Sequence, residues 1–184
     1  MSQTTKKALA ASLKKMLAHK TLEKVTVKDI VEDCEVNRQT FYYHFQDIYA
    51  LVEWIFMNEA AKALDGKKTY ATWQQGFYQI FEYMLENKAF IENTFHSSNR
   101  RYLERFLYDT TFNLLLGVVG EQAADMKVTD ENKKFIAHFY KFAFVGIVED
   151  WIRNGMKVDP QHIIDHIDVL IKGDFKKALE KYEH

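Results

Sequence analysis

Residues Thr26–Phe45 read TVKDIVEDCEVNRQTFYYHF, and the spacing within this stretch decides the fold. Thr26 followed by Asp29 is a helix-start signal: a hydroxyl cap with an acid three residues on. Val27, Ile30, Val31 and Cys34 fall at i, i+3, i+4 and i+7, the spacing of one buried helical face. Asn37 is a good N-cap for a second short helix. On that helix Phe41 and Phe45 are four apart and predicted to point inward. At about 100° per residue, Gln39 and Tyr43 lie opposite Phe41, with Arg38, Thr40 and Tyr42 on the flanks. A helix this short and polar buries little by itself. Its outer face carries hydrogen-bond donors and flat rings, the groups that reach phosphates and base edges.

Working outward, the chain reads as all-α. Its 184 residues contain one Pro and seven Gly, with 47% hydrophobic and 15% aromatic residues. That composition supports a sizeable core and excludes disorder. Strand alternation with turn signals is absent. The single cysteine, Cys34, excludes an internal disulfide, and its inner-face position makes it a small core residue. The first twelve residues lack the apolar run of a signal peptide. No stretch of about 18 apolar residues exists to span a membrane. A cytoplasmic protein without a membrane partner is the expectation.

Net charge is −1, but it is unevenly placed. Residues 1–28 hold seven lysines against Glu23 alone, a net of +6, so the other 156 residues carry −7. A basic end of this kind suits a polyanionic partner.

Here the stretch resembles the helix-turn-helix of the TetR family of bacterial transcription regulators. The resemblance rests on Thr40, Phe41, Tyr42, Tyr43, His44 and Phe45, followed by Asp47, and covers residues 6 to about 56. It implies a DNA-binding head, residues 1–46, comprising three helices, and a C-terminal helical bundle, residues 47–184, for dimerisation and for an effector or partner. It further implies that Thr40 and Tyr42 touch the DNA backbone or a base edge and that His44 touches phosphate. Arg38 and Gln39 stand where family members vary, which points to base readout, Arg favouring guanine and Gln adenine. Lys6, Thr26, Lys28, Asn37 and Tyr43 complete the expected interface. Two departures stand out. Glu35 occupies the turn position usually held by Gly, which places it near the left-handed region. Ile48 replaces a Lys common at the start of the next helix, removing a phosphate contact.

Around this head the periodicity predicts a first helix over residues 4–19 with Leu9, Leu13, Met16 and Leu17 inside. A fourth, Asp47-capped helix is predicted to run to about Ala63, apolar on nearly every side and buried between head and body. A turn follows at Asp65 and Gly66. Further helices are expected over about 70–86, 88–96 and 100–124. A long one runs from Thr129 to about Asn154, stopped by Gly155, and a last one runs from Asp159 and Pro160 through Leu179. The last two long helices show wide apolar faces, as expected of a homodimer pairing through them, and helix-turn-helix dimers read near-palindromic double-stranded DNA. Gly146 lies mid-helix, either for close approach at that interface or for a core neighbour.

Aromatic residues crowd the C-terminal half. Relatives often enclose a small-molecule pocket there, for which Trp73, Phe77, Phe81, His96, Tyr108, Phe112, His138 and Tyr140 are the candidates. The same rings at helical spacing also suit plain core. His162 and His166 lie four apart as His-Ile-Ile-Asp-His, without the Glu of a His-Glu-x-x-His zinc helix. No cofactor or metal is expected, and no phosphate-cradling Gly loop or nucleophile elbow anchors a catalytic reading. The expected protein is a dimeric, sequence-specific transcription regulator controlled by a small apolar effector. The alternatives are control by a protein co-regulator, with activation as an option, and an all-α interaction module with a degenerate head. The run TFYYHFQDIYALVEWIF most resembles the branch that includes regulators of dihydroxyacetone kinase operons, in which a partner protein can deliver the signal.

Overall fold

The computed structural model describes residues 2–60 and 71–183. The predicted turn at Asp65 and Gly66, and the far end of the fourth helix at Ala63, lie outside the described residues. All regular elements among the described residues are helical. In order they are α1 Ser2–Leu17, α2 Val27–Asp33, α3 Arg38–His44, α4 Ile48–Ile55, α5 Trp73–Glu86, α6 Lys88–Phe95, α7 Arg101–Gln122, α8 Asp130–Arg153, α9 Pro160–Ile171 and α10 Asp174–Glu180. A short 3-10 turn, Leu22–Lys24, links α1 to α2, and a π turn, Phe56–Ala60, continues α4.

The helix starts are set by side chains that satisfy the first backbone N–H groups. Thr26 and Asp29 form a reciprocal capping box: the Asp29 amide donates to Thr26 Oγ1 (3.2 Å) and the Thr26 amide to Asp29 Oδ2 (2.9 Å). Asn37, Asp47, Thr129 and Asp159 cap α3, α4, α8 and α9, with Pro160 at the first position of α9. Gly155 ends α8 at φ 78° and is followed by Met156 at φ 57°.

Leu9, Leu13 and Leu17 of α1 meet Ile30, Val31 and Phe41 in the small core of the head. The body is built on the antiparallel pair α7 and α8, the most extensive helix pairing, with α5 and α6 packed across it and α9 against α5. Among the described residues, several contacts join the head and α4 to the rest of the body. The Asn93 amide of α6 donates to the last carbonyl of α1, Leu17 (3.0 Å). Lys14 lies over the rings of Tyr83 and Phe90. Glu53 of α4 pairs with Arg105 of α7 (3.1 Å).

Four expectations need correction. Phe45 is buried but lies outside the recognition helix, as an extended C-cap at φ −142°. The fourth helix changes register at Phe56 into a π turn, and Met57 is exposed, so it is not buried on every side. The first helix ends at Leu17, the 3-10 turn beginning at Leu22. The last helix is two helices: Gly173 takes the left-handed conformation at φ 79°, which ends α9 and starts α10, although isoleucines spaced for one helix run up to it.

Glu35 sits at φ 53° in the α2–α3 turn, as its place in the turn requires. A β-carbon in that region costs about 1–2 kcal/mol, partly offset by the extra unfolded-state freedom of Gly, about 0.4–1 kcal/mol. Glu35→Gly is therefore expected to stabilise the chain by up to about 1 kcal/mol in urea denaturation. A loss of stability would show that the Glu35 side chain contributes more than its strain costs.

Candidate nucleic-acid interface

The recognition helix buries one residue fully, Phe41, half-buries Thr40 and His44, and shows the other four to solvent. Phe41 contacts Phe45 (centroids 5.9 Å), and Phe45 contacts Trp54 of α4 (6.0 Å), so a chain of rings fastens α3 to α4. Arg38 and Gln39 are exposed, and beside them Tyr42 and Tyr43 are 58% and 83% exposed. Tyr43 at that exposure buries little against its own chain beyond the edge of His44.

The polar residues predicted for the interface divide by whether their donors are already used. Asn37 Oδ1 accepts from the Thr40 amide (2.8 Å) and the Thr40 hydroxyl (3.0 Å). Phosphate oxygens only accept, so Thr40 has spent the proton it would have donated, whereas the NH2 of Asn37 points its donors away from the cap. Thr26 is in the same position as Thr40, its hydroxyl donating to Asp29 Oδ2 (2.9 Å). Lys28 makes only a long, exposed pair with Glu32 (3.7 Å) and is easily redirected. Lys6 reaches across from α1 to lie over the Phe45 ring (5.6 Å), which puts its charge at the end of the recognition helix. His44 is half-buried, edge-on to Tyr43 (4.9 Å). Ile48, in the place of a phosphate-binding Lys, is half-buried against the core.

Asp29 holds the box together electrostatically. The Thr26 backbone amide, then the Lys20 ammonium (3.0 Å) and the Thr26 hydroxyl, lower its pKa to about 2. Because the folded value lies below the ordinary one, the carboxylate stabilises the fold at pH above about 4. That contribution disappears as pH falls through about 2. Asp29→Asn should melt at a lower temperature than the unmodified chain at neutral pH, with the two melting temperatures converging below pH 2. A constant difference across that range would contradict the capping role.

The eight aromatic and histidine residues predicted to line a ligand pocket do not converge on one cavity. Trp73, Phe77 and Phe81 are buried in a chain of edge-to-face rings, Trp73 and Phe77 on Phe144, Phe77 on Phe81, and Phe81 on Trp151. Tyr108 and Phe112 gather with His138 around Lys141, whose ammonium lies 5.1 Å and 5.5 Å from the two rings and 3.1 Å from His138 Nδ1. Tyr140 packs on Phe175 (4.7 Å), and His96 is exposed. The reading from sequence missed a different feature, a cleft of about 260 Å³ between α4 and α7. Phe56, Met57, Tyr102 and Phe106 line it, and the chain of charges Glu53–Arg105–Asp109 edges it. Its two sides are 52 residues apart, and no local signal joins them. The rings of His162 and His166 lie 4.2 Å apart, tilted to one another, on the exposed side of α9, and no group of three metal-ligating side chains occurs among the described residues.

A capped helix, a tight turn and a second helix offering Arg, Gln and two exposed Tyr define a helix-turn-helix protein. Residues 8–55 match the family described as bacterial regulatory proteins, tetR family, and residues 71–173 match that family's transcriptional regulator C-terminal region. The chain belongs to the TetR family of transcription regulators. It is 28% identical over 157 residues to the HTH-type dhaKLM operon transcriptional activator DhaS of Lactococcus lactis subsp. lactis (strain IL1403), covering 84% of this chain and 83% of that protein. A solved structure of a dihydroxyacetone kinase operon activator DhaS superposes with a TM-score of 0.75 at 25% identity, over 98% of both chains. NalD, the secondary repressor of the MexAB-OprM multidrug efflux pump in Pseudomonas aeruginosa, shares the fold, with a TM-score of 0.65 at 15% identity over 97% of this chain and 98% of its own. These relatives are regulators rather than enzymes. No helix among the described residues is long and apolar enough to cross a membrane.

Proposed function

We propose that this regulator reads a near-palindromic operator as a homodimer, with Arg38 and Gln39 contacting base edges and Tyr42, Tyr43, His44, Asn37, Lys28 and Lys6 positioning α3 on the phosphates. Residues 1–46 form the reading head, and residues 47–184 pair the chains and receive the signal. The observation that carries the reading is the exposed face of α3 described above, in a head whose first 28 residues hold a net charge of +6. Each good base contact contributes about 1–3 kcal/mol of discrimination. In fluorescence anisotropy with the DNA upstream of its own gene, Arg38→Ala should weaken binding about 5- to 150-fold and relax preference at one position of each half-site. Lys6→Ala should weaken binding to every sequence alike and flatten its salt dependence. Weak binding that ignores sequence and both substitutions would leave only the degenerate-head reading.

The dimer reading rests on the outer face of α8. Phe135, Phe139 and Phe142 are each more than half exposed along one stripe, and Val169 and Leu170 of α9 are about three-quarters exposed. A groove of about 570 Å³ lies between the two helices, with Gly146 on its α8 wall. A β-carbon at Gly146 would meet nothing within 4 Å in its own chain, so a core neighbour does not require the glycine. Close approach of a second chain does. Phe139→Glu is expected to give monomers in analytical ultracentrifugation while keeping the helical circular dichroism. A dimer that survives this substitution would move the interface elsewhere.

Activation rather than repression is the second reading. It is favoured by the similarity to DhaS along most of both chains.

A further inference from the structure

The cleft between α4 and α7 lies where the body grips the helix that follows the reading head. Its floor is apolar. Phe56 is stacked on Phe106 (5.4 Å, interplanar angle 16°) and also touches Phe90 (4.9 Å), and Tyr102 and Met57 form the sides. Among the described residues its edge is charged and unbalanced: two carboxylates, Glu53 and Asp109, share one guanidinium, Arg105, at 3.1 Å and 3.8 Å. All three are 42–68% exposed, so these pairs are weak and exchangeable. An anion entering the cleft meets two like charges around an arginine that is already satisfied. A cation meets the spare negative charge and the faces of aromatic rings, which attract it as well. At about 260 Å³ the cleft falls below the range of about 300–1,000 Å³ typical of drug-sized ligands, which limits the occupant to a single small ring or short alkyl body. The α-helical register also changes here, to the π turn Phe56–Ala60, a distortion found frequently at functional sites.

We propose that this cleft binds a small ammonium compound, its apolar body on Phe56, Phe106 and Tyr102 and its cation between Glu53 and Asp109. The bound cation competes with Arg105 for Glu53 and so loosens the ion pair that ties α4 to α7. Trp54, the neighbour of Glu53, rests on Phe45 at the end of the recognition helix, so a shift of α4 is felt by α3. As a signal, this rests on the reading of the body as the receiver of control. As a binding site, it stands on the cleft alone.

The test is calorimetric titration of the intact chain with benzylammonium, benzyl alcohol and phenylacetate, which share a ring and differ in charge. Benzylammonium should bind saturably, once per chain, and at least tenfold more tightly than benzyl alcohol, with phenylacetate weakest. Glu53→Gln and Asp109→Asn should each weaken benzylammonium about tenfold, and Thr110→Phe, which fills the cleft, should abolish binding. Equal or tighter binding of the alcohol or the acid would overturn the proposal. So would benzylammonium binding that is unchanged in Glu53→Gln and Asp109→Asn, both exposed positions that leave the core intact. Operator binding by the same preparation without amine is measured separately. Its loss would count against the regulator reading and leave the titration result standing.

Discussion

The seven-residue recognition helix cannot hold itself in place, and everything around it follows from that constraint. Helices this short are marginal in water, and α3 has only Phe41 to bury fully. Its position is therefore fixed from outside. Asn37 and the Glu35 turn set its entry, and Phe45, held in extended conformation beneath it, packs on Trp54. Asp47 then starts α4 at once, with the Ala50 amide donating to its carboxylate (2.7 Å). The outer face is left to the exposed Arg38, Gln39, Tyr42 and Tyr43. This is the surface we propose meets DNA.

Because α3 is fastened to α4 through Phe45 and Trp54, a displacement of α4 would carry α3 with it. The Asn93 cap on α1, Lys14 over Tyr83 and Phe90, the buried side chains of Leu51, Val52, Ile55 and Phe56, and the Glu53–Arg105 pair hold it and its neighbours to the body. The first is sheltered in part, and the last is exposed and electrostatic. An exposed ion pair stabilises by about 0–1 kcal/mol, little enough for a small molecule or a partner surface to displace. The densely packed rings of Trp73, Phe77, Phe81, Phe144 and Trp151 provide the stiff body against which such a displacement acts.

What the sequence made legible was local. The capping box Thr26–Asp29 and the caps Asn37, Asp47, Thr129 and Asp159 were readable because each depends on close neighbours in the chain, and the left-handed Glu35 followed from its place in the family's turn. The family and the all-helical fold followed from the same short motifs. Readings that failed depended on backbone register or distance. Gly173 breaks a run of isoleucines whose spacing suits one helix, and Phe56 enters a π turn that periodicity does not signal. Aromatic spacing could not separate rings that fill a core, such as Phe77, from rings that line a cleft, such as Phe106. The Glu53–Arg105 pair joins residues that only tertiary structure brings together.

The central claim is that two copies of α3, held at a fixed separation, read DNA sequence. Selection of bound duplexes from a random pool by the purified chain tests it most directly. The account predicts enrichment of a two-fold-symmetric consensus whose half-site centres lie about one helical turn apart, about 34–36 Å, or a multiple of it. Recovery of a pool without consensus, or of a single asymmetric element, would contradict it.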